Sequence, residues 1–393
     1  MSSPSEMPGR RLRVMLLFGG QSAEHDVSRV SAVAVARALD PERYDVVPVG
    51  ITREGRWLLA EGARAALSAG DLPAAFEVEG PSVRMSEPSG SVVRLESAAA
   101  STPPEPLVPA GTPGAPGETG SFGPVDVVFP LLHGPYGEDG TVQGLLELAG
   151  LPYVGSGVLG SAVGMDKVMM KRAFVACGLP TPAHVVLREG DFTKKDLDRA
   201  EDELGYPCFV KPANLGSSVG VSKARHRAQL EEAVDLALRF DEWVLVEEGI
   251  EGREIEVAVL GDLAPEASLP GEIVPGADFY TYEDKYLDGR AKLCAPANLD
   301  PGRVEEVQRL AVAAFQACRC EAMARVDFFL EEPGRGFLVN EVNTIPGFTP
   351  ISMYPRLWEV SGLPYPRLLD RLVALALERR ERRAWRAGLS REG

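Results

Sequence analysis

Two short apolar stretches with a turn-rich linker between them constrain the fold of this chain most strongly. They are Ala324–Leu330 and Phe337–Asn343, and the linker Glu331–Gly336 contains one Pro and two Gly. Short apolar runs that flank such a linker are typical of two antiparallel strands in a β-hairpin. The sequence therefore predicts a hairpin at this position.

The predicted hairpin carries four polar side chains that alternate with apolar ones. Side chains at i and i+2 share a strand face, so Arg325 lies beside Asp327, and Glu341 lies beside Asn343. If the strand register brings the two faces together, one cation and three oxygen donors converge. Oxygen ligands suit a hard cation such as Mg2+. A solvated sheet face with a cross-strand Arg–carboxylate pair fits the same residues, so both interpretations stay open here.

Composition excludes several classes of protein. A length of 393 residues predicts two or three domains, and 45% apolar with 25% charged residues is ordinary for a globular protein. A net charge of −16 argues against a general nucleic-acid binder. The early apolar run Val14–Phe18 is too short for a signal peptide or a membrane span. The five cysteines form no CxxC pair, so we expect reduced thiols in a cytoplasmic protein without membrane insertion.

The first part of the chain has a β-turn-α-β order. A strand at Arg13–Phe18 leads into the loop Gly19–Ser28, a helix to about Leu39 and a strand near Tyr44–Ile51. This order predicts an α/β fold with a parallel sheet covered by helices. Residues 81–124 contain nine prolines, which indicates a long surface insertion that is partly disordered.

The remaining elements follow from hydrophobic periodicity and turn residues. Residues 150–164 predict a strand and a loop. The arginines between 379 and 386 predict a solvated face of the last helix rather than a patch that binds RNA or a membrane. The predicted helices are Thr141–Ala149, Asp166–Cys177, Ala228–Phe240, Arg303–Cys318 and Leu368–Trp385, and the predicted strands are Cys208–Pro212, Trp243–Glu248, 254–261 and 268–275.

Three familiar site motifs fail on closer inspection. Gly155–Gly160 matches GxGxxG but lacks the acidic residue expected about 20 positions later in a dinucleotide site. Gly216–Gly220 matches GxSxG, yet the only later histidine is His226, so no Ser-Asp-His order is possible. A Gly-Lys-Ser/Thr sequence is absent, which excludes a Walker A phosphate loop.

A different arrangement of residues predicts a nucleotide site. Lys211 lies at the end of an apolar strand and is followed by a Gly/Ser loop that contains Ser217 and Ser218. Such a loop can fold over a triphosphate, and the lysine supplies a compact charge. All eight lysines lie between Lys167 and Lys292. Because this residue type is confined to one part of the chain, its ammonium group is favoured for a role there that the guanidinium of arginine cannot fill.

Carboxylates at the end of the next strand complete this prediction. Glu247 and Glu248 end the strand that starts at Trp243, and Glu254 follows. Carboxylates in these positions suit contacts with the adenine edge and the ribose hydroxyls. The favoured interpretation of these residues and the hairpin together is a nucleotide–Mg2+ site that has no P-loop.

The chain resembles the D-alanine–D-alanine ligases of the ATP-grasp superfamily. The departures are mild: Asp26 stands where Glu is usual, and the Pro-rich segment is long. The matching blocks occur in family order, and they are Phe18–Ser28, Leu132–Gly140, Gly164–Lys167, Val210–Pro212, Gly216–Gly220, Phe279–Tyr286 and Asn340–Thr349.

The resemblance implies a three-domain ATP-grasp architecture. It implies an N-terminal Rossmann-like domain over residues 12–155, including the insertion at about 81–124. Two α+β subdomains, 156–249 and 250–385, would hold ATP between them. It also implies ATP-dependent joining of two D-alanine molecules through a D-alanyl phosphate, for peptidoglycan precursors, by a homodimer that uses two Mg2+ (or Mn2+).

The resemblance further implies a role for individual residues. The implied catalytic residues are Glu24, Ser217, Tyr286, Arg325 and Gly347, and the implied substrate contacts are His133, Tyr282, Lys285, Ser352 and Met353. The implied ATP contacts are Lys167, Lys211, Ser217, Ser218, Glu247, Glu248 and Glu254, and the implied metal ligands are Asp327, Glu341 and Asn343.

Other functions remain open at this stage. Tyr286 favours an amino acid as the second substrate, because related ligases that make D-alanyl-D-lactate typically carry His there. Another ATP-grasp carboxylate–amine ligase, such as a D-alanine–D-lactate or D-alanine–D-serine ligase, is one alternative. A nucleotide-binding module without turnover is another, although Arg325, Asp327 and Glu341 are all present.

Overall fold

The computed structural model describes residues 10–86, 94–97, 121–274, 292–349 and 351–386. Strands and helices are numbered here in chain order within those residues. The strands are β1 Leu12–Gly19, β2 Tyr44–Ile51, β3 Trp57–Leu59, β4 Val83–Ser86, β5 Arg94–Ser97, β6 Ser121–Pro124, β7 Val127–Pro130, β8 His184–Arg188, β9 Cys208–Pro212, β10 Ser222–Ala224, β11 Trp243–Glu248, β12 Arg253–Leu260, β13 Glu266–Ala267, β14 Gly271–Val274, β15 Lys292–Cys294, β16 Met323–Glu331 and β17 Gly336–Asn343. The helices are α1 His25–Ala38, α2 Glu61–Ala69, α3 Thr141–Leu148, α4 Val158–Met165, α5 Lys167–Ala176, α6 Lys194–Leu204, α7 Arg227–Ala237, α8 Pro301–Ala317, α9 Met353–Val360 and α10 Tyr365–Arg386.

The first sheet has the strand order β3-β2-β1-β7, and β1 runs parallel to both β2 and β7. Residues Val14–Phe18 are all fully buried, as expected for a parallel strand covered on both faces. The predicted strands and the helix between them are therefore confirmed. Strand β3 pairs antiparallel with β2 at the edge.

The Pro-rich segment contains more regular structure than predicted. Strands β4, β5 and β6 pair antiparallel in one small sheet. Their pairing joins residues far apart in the sequence, and local composition carries no signal for such contacts. The described part of the predicted surface insertion therefore has a small sheet of its own.

The second sheet has the order β10-β9-β11-β8, and helices α6 and α7 contribute to the apolar core on one of its faces. Side chains alternate along β9, so Cys208 and Val210 face this core. Phe209 and Lys211 point to the opposite face. The predicted strands β9 and β11 are confirmed with the same bounds.

The third sheet contains the predicted hairpin. Its strand order is β15-β14-β12-β16-β17, with β13 also paired to β12. Val326, Phe328 and Leu330 of β16 are buried in a core shared with α8, and Asp327 and Phe329 between them face the other way. The hairpin prediction is confirmed, with strands slightly longer than the apolar runs.

Residues 158–165 form helix α4, where the sequence pattern predicted a strand and a loop. The small residues in this segment permit close helix packing. A Cβ atom added to Gly160 would lie 2.6 Å from the carbonyl oxygen of Arg319, and one added to Gly164 would lie 2.7 Å from Cγ2 of Thr344. Gly160, the last glycine of the failed GxGxxG motif, therefore serves packing.

Helix α10 joins the first sheet to the rest of the fold. Leu368 and Leu372 are fully buried in one core with Val14 and Phe18. The prediction of a solvated arginine face was wrong for Arg379, which is 3% exposed and donates hydrogen bonds to the carbonyls of Tyr153 and Gly155. Tyr153 forms a β-bridge with Val128 of β7, so these carbonyl acceptors lie beside the first sheet. Within the described ranges, no helix is both long and apolar enough to cross a membrane.

Candidate active site

A cavity of about 630 Å³ lies where the three large sheets meet. This volume is typical of a site for a small molecule. Every residue that the sequence assigned to chemistry and that the structure describes lines this cavity. These residues are Glu24, His133, Lys167, Lys211, Ser217, Ser218, Glu247, Glu248, Glu254, Arg325, Asp327, Glu341, Asn343, Gly347, Ser352 and Met353.

Three carboxylates form a row across neighbouring strands at one side of the cavity. Glu256 on β12 lies opposite Asp327 on β16, and Asp327 lies opposite Glu341 on β17. Arg325 and Asn343 face each other in the next row. The hairpin register thus brings together the four side chains that the sequence placed on two strand faces.

Arg325 is the cation beside this carboxylate row. Its Nε and Nη2 donate to the two carboxylate oxygens of Asp327, each at 2.7 Å, and Nε lies 3.2 Å from Oε1 of Glu256. Although burial lowers the pKa of Arg325, Asp327 and Glu256 raise it well above its ordinary value. The guanidinium therefore stays charged, and these contacts leave further N–H donors on it.

The donor set of the row fits a divalent cation. Carboxylates at adjacent ladder positions repel each other, so a group of them favours a bound cation. Asn343 donates from Nδ2 to Asp327 at 2.9 Å, which leaves its amide oxygen as an additional hard ligand. Among the described residues, no group of three His, Cys, Asp or Glu side chains is spaced to hold a metal alone. A metal here would need Asn343, water or a bound phosphate as further ligands.

Two lysines also line the cavity. Lys167 lies at the first position of α5 and donates from Nζ to the carbonyl of Leu215 at 2.5 Å. Lys211 projects from β9 and forms an ion pair with Glu247, which is 2% exposed. The cavity is therefore lined by ammonium groups and carboxylates together, as expected for a site that holds a phosphate–metal complex.

The Gly/Ser loop has a constrained backbone. Ser217 and Ser218 both have positive φ, at 54° and 59°. Such conformations are uncommon outside glycine and cluster at functional sites. Oγ of Ser217 is buried and has no hydrogen-bond partner among the described residues. A Cβ atom added to Gly216 would lie 3.6 Å from Oε2 of Glu24, so this loop lies against the Glu24 carboxylate.

His133 and Glu138 connect the loop after β7 to the segment after β17. Nδ1 of His133 lies 3.0 Å from the carbonyl oxygen of Ile345, and Oε1 of Glu138 accepts a hydrogen bond from the N–H of the same residue at 3.0 Å. Nε2 of His133 has no hydrogen-bond partner in the described part of the chain. Burial lowers the pKa of His133, so a neutral imidazole faces the cavity.

Gly347 and Ser352 face each other across a tight turn. Oγ of Ser352 accepts a hydrogen bond from the N–H of Thr349 at 3.0 Å. A Cβ atom added to Gly347 would lie 2.7 Å from this oxygen. Only glycine leaves room for the backbone to approach both Ser352 and a ligand.

Comparison with known proteins identifies the family. The family model described as "D-ala D-ala ligase N-terminus" matches residues 13–156, and the model described as "D-ala D-ala ligase C-terminus" matches residues 173–374. The chain belongs to the D-alanine–D-alanine ligase family. The ATP-grasp architecture implied by the sequence blocks agrees with this result.

Relatives match this family member over nearly its full length. The D-alanine–D-alanine ligase of Geobacillus kaustophilus is 47% identical over 376 residues, which cover 94% of this chain and 96% of that protein. The solved D-alanine–D-alanine ligase of Coxiella burnetii is 35% identical, with a TM-score of 0.79 over 98% of this chain and 99% of that one. The solved VanG D-Ala:D-Ser ligase of Enterococcus faecalis is 32% identical, with a TM-score of 0.76 over 93% of this chain and 100% of that one.

Two predicted ATP contacts of this family member have protein partners. Glu248 receives hydrogen bonds from Arg335 at 2.7 Å and from the N–H of Ala183 at 2.6 Å. Arg335 belongs to the hairpin turn, so this ion pair joins the second and third sheets beside the cavity. Glu247 faces two lysines, Lys211 and Lys171. The predicted contacts at Tyr282, Lys285 and Tyr286 lie outside the described residues.

Three residues of the site were missed in the sequence. Glu256 lies two positions after Glu254, and Lys171 lies four positions after Lys167. Strand and helix spacing places each of them near the face of the residue already recognised. Glu138 belongs to the conspicuous block Leu132–Gly140, but nothing in its neighbours indicated that it reaches Ile345.

Proposed function

We propose that this chain joins two D-alanine molecules to D-alanyl-D-alanine, with conversion of ATP to ADP and phosphate. Membership of the ligase family supports this assignment. The observation that carries it is the cavity itself, which is lined by Lys167 and Lys211 together with the carboxylate row of Glu256, Asp327 and Glu341. One site thus offers charge for phosphates and ligands for Mg2+, next to a separate polar end for small substrates.

In the first step, a carboxylate oxygen of the first D-alanine attacks the γ-phosphorus of ATP and ADP departs. The product is an acyl phosphate, in which the carbonyl carbon has a good leaving group. Lys167 and Lys211 offset the charge of the phosphates. Asp327, Glu341 and Asn343 would hold two Mg2+ (or Mn2+), which supply charge neutralisation between the phosphate oxygens when bound.

In the second step, the neutral amine of the second D-alanine attacks the carbonyl carbon, and the proton that it loses leaves with the phosphate. The tetrahedral intermediate then collapses, and the C–O bond to phosphate breaks. Arg325 and the N–H of Gly347 stabilise the negative oxygen of this intermediate. Both line the cavity, and the contacts of Arg325 with Asp327 hold its orientation.

The remaining cavity residues would hold the substrates in position. Glu24 pairs with the ammonium group of the first D-alanine, and His133 lies near the carboxylate of that substrate, with its Nδ1 held by the carbonyl of Ile345. Ser352 and the backbone of Met353 receive the second carboxylate near the start of α9. Glu254 and Glu248 lie at the nucleoside end, where Glu248 is already held by Arg335.

The identity of the second substrate is a finer proposal. The family likeness includes a D-Ala:D-Ser ligase, so D-serine is a second candidate that a specific relative supports. D-alanine is favoured because the more similar relative is a D-alanine–D-alanine ligase. A role in peptidoglycan precursor synthesis follows from the dipeptide product. Homodimer assembly and a cytoplasmic location stay predictions.

A coupled assay of phosphate release tests the proposal. Purified protein with ATP and Mg2+ should release phosphate with D-alanine, and much less with L-alanine or without an amino acid. Mass analysis of the product from mixtures of D-alanine with D-serine or D-lactate would identify the second substrate. Equal phosphate release without D-alanine would refute the ligase assignment. Binding of ATP without any turnover would support a non-catalytic nucleotide-binding module.

A further inference from the structure

Lys171 is a buried cation next to the cavity that no step above uses. It lies on α5, one turn after Lys167, and is 1% exposed. Its Nζ lies 2.6 Å from Oε1 of Glu247 and donates to Oγ1 of Thr181 at 3.0 Å. Because protein atoms enclose it, Lys171 cannot touch a ligand in the cavity directly.

Glu247 lies between two ammonium groups. Its Oε1 faces Lys171, and its Oε2 pairs with Lys211, which lines the cavity. The three side chains together carry one net positive charge when all are ionised. Without Lys171, the negative charge of Glu247 would neutralise Lys211. A neutral pair would attract a triphosphate much less strongly than a net positive cluster does.

We propose that Lys171 is a positioning residue that neutralises Glu247, so that the charge of Lys211 remains available to the triphosphate. This inference rests on the proposed ATP-dependent function. It assigns a role to Glu247 as well: the carboxylate orients Lys211, and its direct contact with the nucleoside becomes secondary.

The ionisation of Glu247 agrees with this arrangement. Burial raises the pKa of Glu247, but Lys171 and Lys211 together lower it to about 2. The carboxylate is therefore charged at neutral pH. Burial lowers the pKa of Lys171 while Glu247 opposes that shift, and Glu247 likewise raises the pKa of Lys211 against burial.

A purely structural role for Lys171 must be separated from this charge effect. Its ammonium also lies 3.4 Å from the carbonyl oxygen of Val339, two residues before Glu341 on β17. Removal of Lys171 could therefore loosen β17 without any effect of charge. A second substitution at Glu247 distinguishes the two roles, because it restores the net charge and leaves the packing defect in place.

The test measures equilibrium binding of Mg2+·ATP, inorganic tripolyphosphate and adenosine to the purified full chain by calorimetry. Lys171→Met should weaken binding of ATP and tripolyphosphate about tenfold or more, since one charge near the phosphates is lost. Binding of adenosine should stay unchanged. Lys195→Met, on the exposed surface of α6, is the matched control and should bind all three as the parent does.

Two Glu247 variants decide between charge and structure. Lys171→Met combined with Glu247→Gln should recover most of the tripolyphosphate affinity, and Glu247→Gln alone should bind tripolyphosphate more tightly than the parent. The single variant keeps the test valid even if Lys171→Met fails to fold. Unchanged tripolyphosphate affinity in Lys171→Met, or no recovery in the double variant, would overturn the proposal. These binding results are independent of D-alanine turnover, so they separate this inference from the proposed function.

Discussion

Replacement of Arg325 by Met is the sharpest test of the hairpin site. The side chain of Arg325 is 18% exposed, and its partners Asp327 and Glu256 are 15% and 6% exposed. The substitution keeps the apolar volume but leaves two enclosed carboxylates without their shared cation. Removal of one partner from such a buried ion pair costs about 3–5 kcal/mol of unfolding free energy. Loss of its charge from the reaction should also lower kcat by about 10²–10³-fold.

A second arginine of the same sheet provides the matched control. Arg253 makes two hydrogen bonds to Glu272, each at 2.8 Å, but it is 34% exposed. Because solvent screens this pair, Arg253→Met should cost only about 1 kcal/mol or less and leave kcat near that of the parent. Urea unfolding gives the free energies, and the coupled phosphate assay gives kcat. If the two variants lost similar stability and kept similar kcat, the buried cation would have no special role.

Three further predictions concern the same cavity. Glu341→Gln should abolish turnover because it removes a charged metal ligand, while the circular dichroism spectrum and Tm stay close to those of the parent; near-normal rates would refute the metal assignment. Gly347→Ala should raise KM for D-alanine about tenfold, because its Cβ would meet Oγ of Ser352 at 2.7 Å, and the same change should matter less in a Ser352→Ala background. Burial raises the pKa of Glu138 from 4.5 to about 8, so the folded state holds an extra proton between these values and loses stability as pH rises through that window. Between pH 6 and pH 9, the free energy of unfolding measured in urea should decrease less for Glu138→Gln than for the parent. An equal decrease in the two proteins would contradict the raised pKa of Glu138.

Local patterns predicted the strands that build the site. The two-residue alternation placed Arg325 beside Asp327 on one strand, and Glu341 beside Asn343 on the other, while the register that brings the two pairs together came from the structure. The parallel strands β1 and β2 were also recognisable, because both faces of a covered strand must be apolar. Periodicity is a property of neighbouring residues, so the existence of a strand and the face of each side chain could be predicted from it.

Features that depend on distant partners were not predictable in this way. Glu138 is separated from Ile345 by most of the second and third sheets, and only the folded chain brings them within 3.0 Å. Helix α4 was mistaken for a strand and a loop because its glycines lower helix propensity, while its packing against Arg319 and Thr344 stabilises it. The burial of Arg379 depends on carbonyl groups of residues 153 and 155, which its own helix does not reveal.

The packing of α10 against the first sheet has a consequence for folding. Val14 and Phe18 share their core with Leu368 and Leu372, which belong to the last described helix. A contact between residues so far apart in the sequence requires closure of a long loop, which costs conformational entropy before the contact stabilises it. The core of the first sheet should therefore be completed late in folding, and intermediates that expose its apolar face should be prone to aggregation.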